Sequence, residues 1–335
     1  VTNKADMIVD LQFGSTGKGL IAGYLAMRNE YDTVINANMP NAGHTFIDHN
    51  GHKMVNKVLP NGVVSPECDW ALIGPGSVFD PNRLIEELNI LAEGGYNEFM
   101  VGIHPAAVVL TDNHKDYEKK FVTIGSTSQG SAAAMIHKIN RNPKDDPTAA
   151  ARIDQHFHDR IVVVSRNKYR NIIRLSERIL LEGAQGFSLG INQEFYPYCT
   201  SRECTPARFM SDMGVPMKYL RKVIGTARVH PIRVGSPPGG YSGGWYKDQL
   251  ELDWGQFNVE PERTTVTNRI RRIATWSNTQ IRDAVWECEP DEIFLNFCNY
   301  AQDGELEEVR ATAGHLIKYE GWGPTVDDVM EIYHG

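Results

Sequence analysis

Lys18 stands between Gly17 and Gly19 in the stretch FGSTGKGL at residues 13–20. A lysine among glycines suits phosphate binding. The glycines let backbone N–H groups approach an anion, the N-terminus of a following helix adds partial positive charge, and the ammonium adds a full one. Neither standard phosphate loop fits. A P-loop needs a glycine where Gln12 stands and a serine or threonine where Gly19 stands, and the dinucleotide fingerprint G-x-G-x-x-G is here G-x-x-G-x-G. Taken alone, the loop could equally be a strand-to-helix turn with a surface lysine.

Further stretches carry polar groups of the right kinds. NAGHT (41–45) sets His44 beside a small Ala-Gly pair, where an imidazole could act as an acid or polarise a phosphoryl oxygen, or could be a satisfied buried histidine. IGSTSQG (124–130) offers hydroxyls and glycines. EGAQG (182–186) holds Gln185 between glycines, where a carboxamide could meet a purine edge or belong to a plain turn. ERTTVTNRIRR (262–272) gathers four arginines and three threonines, a local reversal of charge that suits a carboxylate or phosphate, or a solvated helix face. HFH (156–158) lies in a polar stretch and reads as surface rather than metal site.

These groups need a scaffold. Met7–Leu11 reads as a strand, the glycine loop follows, and Leu20–Met27 reads as a helix: the opening of an α/β fold. Further strands are expected at 32–38, 69–79, 161–164, 178–186 and 291–300. A helix is expected at 81–95, with Pro81 in its first turn and Leu84, Leu88 and Leu91 on one face. Residues 140–160 read as a surface excursion. No repeat or linker stands out, so residues 1–335 are expected to form a single domain with long inserted loops. The net charge of −8 argues against general nucleic-acid binding. No run of about 18 apolar residues suggests a membrane span. Five cysteines with no C-x-x-C pair suggest reduced thiols and a cytoplasmic protein.

In this order the motifs resemble adenylosuccinate synthetase. That family's W-G-D-E-G-K-G-K is similar to residues 13–20. Its N-A-G-H-T matches 41–45, its I-G-T-T-G-R-G resembles 124–130, and its E-G-A-Q-G matches 182–186. Its Y-P-Y-V-T-S resembles YPYCTS (196–201), its R-V-G recurs at 233–235, and its threonine-arginine loop resembles 264–272. The resemblance implies a large, mostly parallel central sheet with flanking helices, in a P-loop-NTPase-like α/β fold. It implies two chemical steps: a nucleoside triphosphate phosphorylates the purine 6-oxygen, and the amino group of L-aspartate then displaces phosphate. By motif, Gly14, Ser15, Thr16, Gly17, Lys18 and Gly19 would hold the donor phosphates with Mg²⁺, for which Ser15 and the Gly43 carbonyl are the implied ligands. His44 would be the proton donor, and Gln185 would orient the 6-oxygen. Asn41, Ala42, Ser126, Thr127, Thr200 and Arg233 would hold the monophosphate. Arg141 would reach it from a second subunit, which implies a homodimer. Thr264, Thr265, Arg269 and Arg271 would bind aspartate.

Two departures bear on substrate and donor. Ser15 stands where the family has the aspartate that removes the N1 proton, and Thr16 where it has glutamate. A serine is no comparable base at neutral pH, but a shorter, uncharged side chain leaves room for the 2-amino group of guanine. The chain thus resembles a phage branch of the family that acts on dGMP to make diaminopurine. The runner-up is an archaeal-type enzyme acting on IMP; an inactive nucleotide-binding regulator and a plain kinase are disfavoured by the retained His44, Gln185 and 264–271 loop. What then takes the N1 proton is open among Mg²⁺, a water and the donor phosphate. The family's guanine-reading T-K-L-D is matched by FLNFCNY (294–300), which puts Asn299 at the aspartate position. A carboxamide both donates and accepts, as adenine requires. ATP or dATP is therefore the expected donor, with Gly323 and Pro324 completing its site.

Overall fold

Six consecutive buried residues, Ala5–Asp10, form the first strand. A strand buried on both faces belongs inside a helix-covered parallel sheet. In the computed structural model, which describes residues 3–121, 128–154, 157–238, 240–264 and 268–333, that sheet has ten strands. Their spatial order is Val329–Glu331, Ile317–Gly321, Glu292–Asn296, Leu220–Arg228, Ala5–Asp10, Ile179–Glu182, Thr33–Asn36, Trp70–Ile73, Met100–Ile103 and Ile161–Val163. Every neighbouring pair is parallel except the terminal one, Ile317–Gly321 with Val329–Glu331. Side chains alternate along each strand. Ile8 joins the core under the helices Lys18–Asn29 and Pro81–Glu93, while Met7 and Val9 join the core under Arg166–Leu175, Pro206–Met213, Asn278–Cys288 and Glu305–Ala313.

Several expected elements are present with altered ends. The helix at 81–95 is Pro81–Glu93, with Asp80 capping its N-terminus through the N–H of Asn82. The stretch 69–79 splits: Trp70–Ile73 enters the main sheet, and Val78–Phe79 pairs with Val108–Val109 elsewhere. The stretch 291–300 ends as a strand at Asn296, because Phe297 adopts a left-handed φ of 58° and starts a short 3₁₀ turn. The strand Leu220–Arg228 carries arginines at positions 221 and 228 that interrupt its apolar pattern. Asp6 holds Arg221 and Glu262 holds Arg228, so both charges are accommodated in the sheet.

The loops at the carboxyl ends of these strands are held close by glycine. A Cβ on Gly19 would lie 2.6 Å from the Thr45 carbonyl, and one on Gly23 would lie 2.2 Å from the Phe46 ring. The helix after the phosphate loop therefore sits directly on the strand His44–Ile47, which brings His44 beside Lys18. On the far side, Glu87 is fully buried and accepts the backbone N–H groups of Lys57 (2.6 Å), Val58 (3.0 Å) and Leu59 (2.9 Å). Replacing it with alanine strands these donors. Glu87→Ala should destabilise the fold by about 3 kcal/mol, measured as a lower midpoint in urea; an unchanged midpoint would remove this role.

Candidate active site

The centre of the site is a buried carboxylate. Asp10 ends the first strand, is 2% exposed, and accepts the N–H groups of Gln12 (2.9 Å) and Gly14 (3.1 Å). Its other oxygen accepts from Thr16 Oγ1 at 2.5 Å and from Lys18 Nζ at 2.9 Å. Lys18, 5% exposed, also donates to the Gln185 carbonyl at 2.8 Å. The loop turns through positive φ at Gly14 (93°), Ser15 (56°) and Gly17 (93°). The two glycines adopt that region at little cost, whereas Ser15 is held there with its carbonyl bonded to Arg228 Nη1 at 3.3 Å.

Around this loop lies a cleft of about 300 Å³. Gly14, Ser15, Thr16, Gly17, Lys18 and Gly19 line it, with Asn41, Ala42, Gly43, His44, Gln185, Thr264 and Arg271. Thr16 contributes differently from expectation. Its hydroxyl is spent inside the fold on Asp10 and Thr226, so its side chain is not available to a donor phosphate. Ser15 is exposed on the cleft. His44 is buried and faces Glu182 across 3.4 Å from its Nδ1. Burial lowers its pKa, Lys18 pushes in the same direction, and the Glu182 hydrogen bond partly opposes them. Glu182 is itself fixed by the Gly62 N–H at 2.7 Å. The net effect of these surroundings favours the neutral imidazole, and Nδ1 is the ring nitrogen that faces Glu182.

The other expected residues that the structure describes lie outside this wall. Ser126, Thr127 and Thr265 fall outside the described residues. Thr200 stands behind Asn41, 3.5 Å from its Nδ2. Arg233 is buried beneath Phe13, its guanidinium 4.5 Å from the ring centroid and donating to the carbonyls of Tyr198 and Ser242. The family's phosphate role for Arg233 would need that packing to open. Arg269 sits against the turn at Gly235. Arg141 is exposed just beyond the helix Ser131–Ile139, its Nε on the Ile139 carbonyl. Asn299 is exposed on the 3₁₀ turn, and it is Phe297, two residues earlier, that lines the cleft. Gly323 and Pro324 occupy the bend between the last two strands. That edge meets the phosphate loop through Asn296, whose Nδ2 donates to the Thr16 carbonyl at 3.3 Å and whose Oδ1 lies where a Cβ on Gly321 would fall.

Four residues of the site were not singled out by their sequence: Asp10, Glu182, Arg228 and Glu262. Asp10 had a usable signal, a carboxylate closing an apolar strand directly before a glycine loop. Arg228 and Glu262 had none, because their pairing joins segments 34 residues apart.

The fold and this arrangement define a nucleotide-dependent enzyme of the carbon–nitrogen ligase type, and comparison with known proteins agrees. The adenylosuccinate synthetase family model matches residues 7–146 and 145–320. The chain belongs to the adenylosuccinate synthetase family. It is 53% identical to the N6-succino-2-amino-2'-deoxyadenylate synthase of Vibrio phage phiVC8, over 97% of each chain. It is 43% identical to the protein of the same name from Acinetobacter phage SH-Ab 15497, over 99% of this chain and 94% of that one. The cyanophage S-2L succinoaminodeoxyadenylate synthetase, solved bound to dGMP and dATP as an energy donor, superposes with a TM-score of 0.93 at 37% identity, covering 99% of this chain and 96% of that one.

Lys18→Ala and His44→Ala should each lower turnover by roughly 10²–10³-fold while leaving the circular dichroism spectrum unchanged. Asp10→Asn should cost stability as well as rate, about 3–5 kcal/mol, because it leaves the Lys18 ammonium buried without its anion. Near-normal kcat in either of the first two variants would remove the role assigned to that residue.

Proposed function

We propose that this chain joins L-aspartate to C6 of dGMP with hydrolysis of ATP or dATP, through a 6-phosphoryl intermediate, giving N6-succino-2-amino-2'-deoxyadenylate. The observation that carries this reading is Ser15: an exposed, uncharged residue in an otherwise complete constellation of Lys18, His44 and Gln185. A carboxylate there would crowd the 2-amino edge of guanine, whereas the shorter, uncharged serine leaves room for it. The likeness to phage enzymes named for this product supports the same substrate.

The residues divide the work as follows. The loop N–H groups and Lys18 hold the donor phosphates, with Asp10 keeping the ammonium aimed. Burial favours the neutral form of His44. Incoming phosphates favour its protonated form, so that it takes up a proton at Nε2 and donates it toward the transferring phosphoryl oxygen. Glu182 holds the ring in the required orientation. Arg271 and Thr264 offer a cation and a hydroxyl to the aspartate carboxylates, together with Arg269 and Thr265. Ser15 and Gly43 both line the cleft and offer hard oxygen donors, which fits Mg²⁺. When bound, Mg²⁺ supplies charge neutralisation of the donor phosphates.

We read the outward-facing Arg141 as reaching the substrate phosphate of a second copy, in a homodimer. The five cysteines are unpaired and four are buried, which supports a reducing cytoplasm. No helix among the described residues is long and apolar enough to cross a membrane. A sheet that draws strands from residues 5 to 331 supports a single domain with inserted loops.

With ATP, Mg²⁺ and L-aspartate, dGMP should give the succinyl adduct by mass spectrometry faster than IMP, and Ser15→Asp should weaken use of dGMP. Faster reaction with IMP would overturn the substrate. ATP or dATP should also support faster turnover than GTP at equal concentration; the reverse order would overturn the donor assignment.

A further inference from the structure

The loop lacks the base that a purine N1–H requires, and the cleft contains one carboxylate that could replace it. Among the described residues lining the cleft, Glu262 alone is acidic. Its carboxylate is held by Arg228, through Nη2 at 2.5 Å and Nη1 at 3.2 Å. The same Nη1 donates to the Ser15 carbonyl at 3.3 Å. One guanidinium therefore bridges the Glu262 carboxylate and the backbone of the residue that stands where the family has its acid. Arg228 cannot drift: it is 0% exposed, its guanidinium lies 3.7 Å from the centroid of Phe297, and its backbone N–H and carbonyl are both bonded to Gln12. Arg228 and the nearby Arg271 keep Glu262 ionised against the cost of its burial. Each carboxylate oxygen retains a lone pair beyond the one Arg228 uses.

We propose that Glu262 is the base of the first chemical step, taking the N1 proton that Ser15 cannot take. The N1–H bond breaks as an O–H bond forms on Glu262. The electron pair passes into O6, which bonds to the γ-phosphorus as the bond from that phosphorus to the β,γ-bridging oxygen breaks and the nucleoside diphosphate leaves. Reversal needs Glu262 to return the proton. Arg228 is a positioning residue that acts through Glu262. This inference rests on the reaction proposed above.

Positional isotope exchange isolates the step. ATP labelled with ¹⁸O in the β,γ-bridge is incubated with the full-length enzyme, Mg²⁺ and dGMP, without aspartate, and bridge-to-nonbridge scrambling is followed. Glu262→Gln keeps a polar partner for Arg228. It should cut scrambling at least ~100-fold, with dGMP and ATP affinities by calorimetry close to wild type at a temperature where circular dichroism shows the variant folded. Ser15→Asp added to Glu262→Gln should restore scrambling with IMP, which has no 2-amino group to crowd. Wild-type scrambling by Glu262→Gln overturns the proposal, including the case where only adduct formation from aspartate is lost, since the carboxylate would then serve the amino acid. Loss of nucleotide binding alongside scrambling also overturns it, by making Glu262 structural. If wild-type enzyme scrambles with IMP and not with dGMP, the substrate reading fails on its own, and Glu262→Gln measured with IMP still decides the base.

Discussion

The buried carboxylate of Asp10 is the constraint on which the site is built. It accepts two backbone N–H groups, a hydroxyl and the Lys18 ammonium, all within the eight residues that follow it. A glycine-rich turn has no reason of its own to hold one shape. Here its shape is set by how many donors one carboxylate can gather. The same contacts fix the lysine, because a buried ammonium needs its anion, and the anion is anchored at the end of the central strand.

The arrangement also explains how a loop without acids can remain a phosphate loop. The related motif carries aspartate and glutamate where this chain has Ser15 and Thr16. A glutamate at position 16 would put a second carboxylate against Asp10, whereas the Thr16 hydroxyl donates to it. Charge removed from the loop is thus present elsewhere, at Asp10 beneath it and at Glu262 across from it. His44 obeys the same logic: its ring is set by Glu182, which a Gly62 N–H holds in turn.

Much of this was legible from the sequence, for identifiable reasons. The loop, NAGHT and EGAQG are short contiguous motifs, and contiguous residues meet wherever the chain goes; all three line the cleft. The helix at Pro81–Glu93 was readable from its proline and leucine spacing. The strand Leu220–Arg228 was not, because its arginines look like surface until Asp6 and Glu262 are seen to hold them. Thr16 looked like a phosphate ligand because position in a motif does not reveal which way a side chain points. Asn299 sits on the surface of a turn that begins with a left-handed Phe297, a conformation its sequence does not announce. Pairings between distant segments, Arg228 with Glu262 above all, leave no periodic trace.

The position of Ala5–Asp10 in the sheet has a consequence for how the protein is made. Residue 5 pairs with residue 179 on one side and with residue 220 on the other. The strand that carries Asp10 therefore has no neighbour until the chain has grown past residue 182, and gains its second only past residue 228. Before residue 185 is made the phosphate loop has no Gln185 carbonyl to hold its lysine, and one backbone edge of the strand stays unpaired until residue 228. Closure over such sequence distances is slow, and a waiting edge strand is the kind of surface that aggregates or recruits a chaperone during synthesis. The nucleotide site is thus among the last features to form, although its loop lies near the beginning of the sequence.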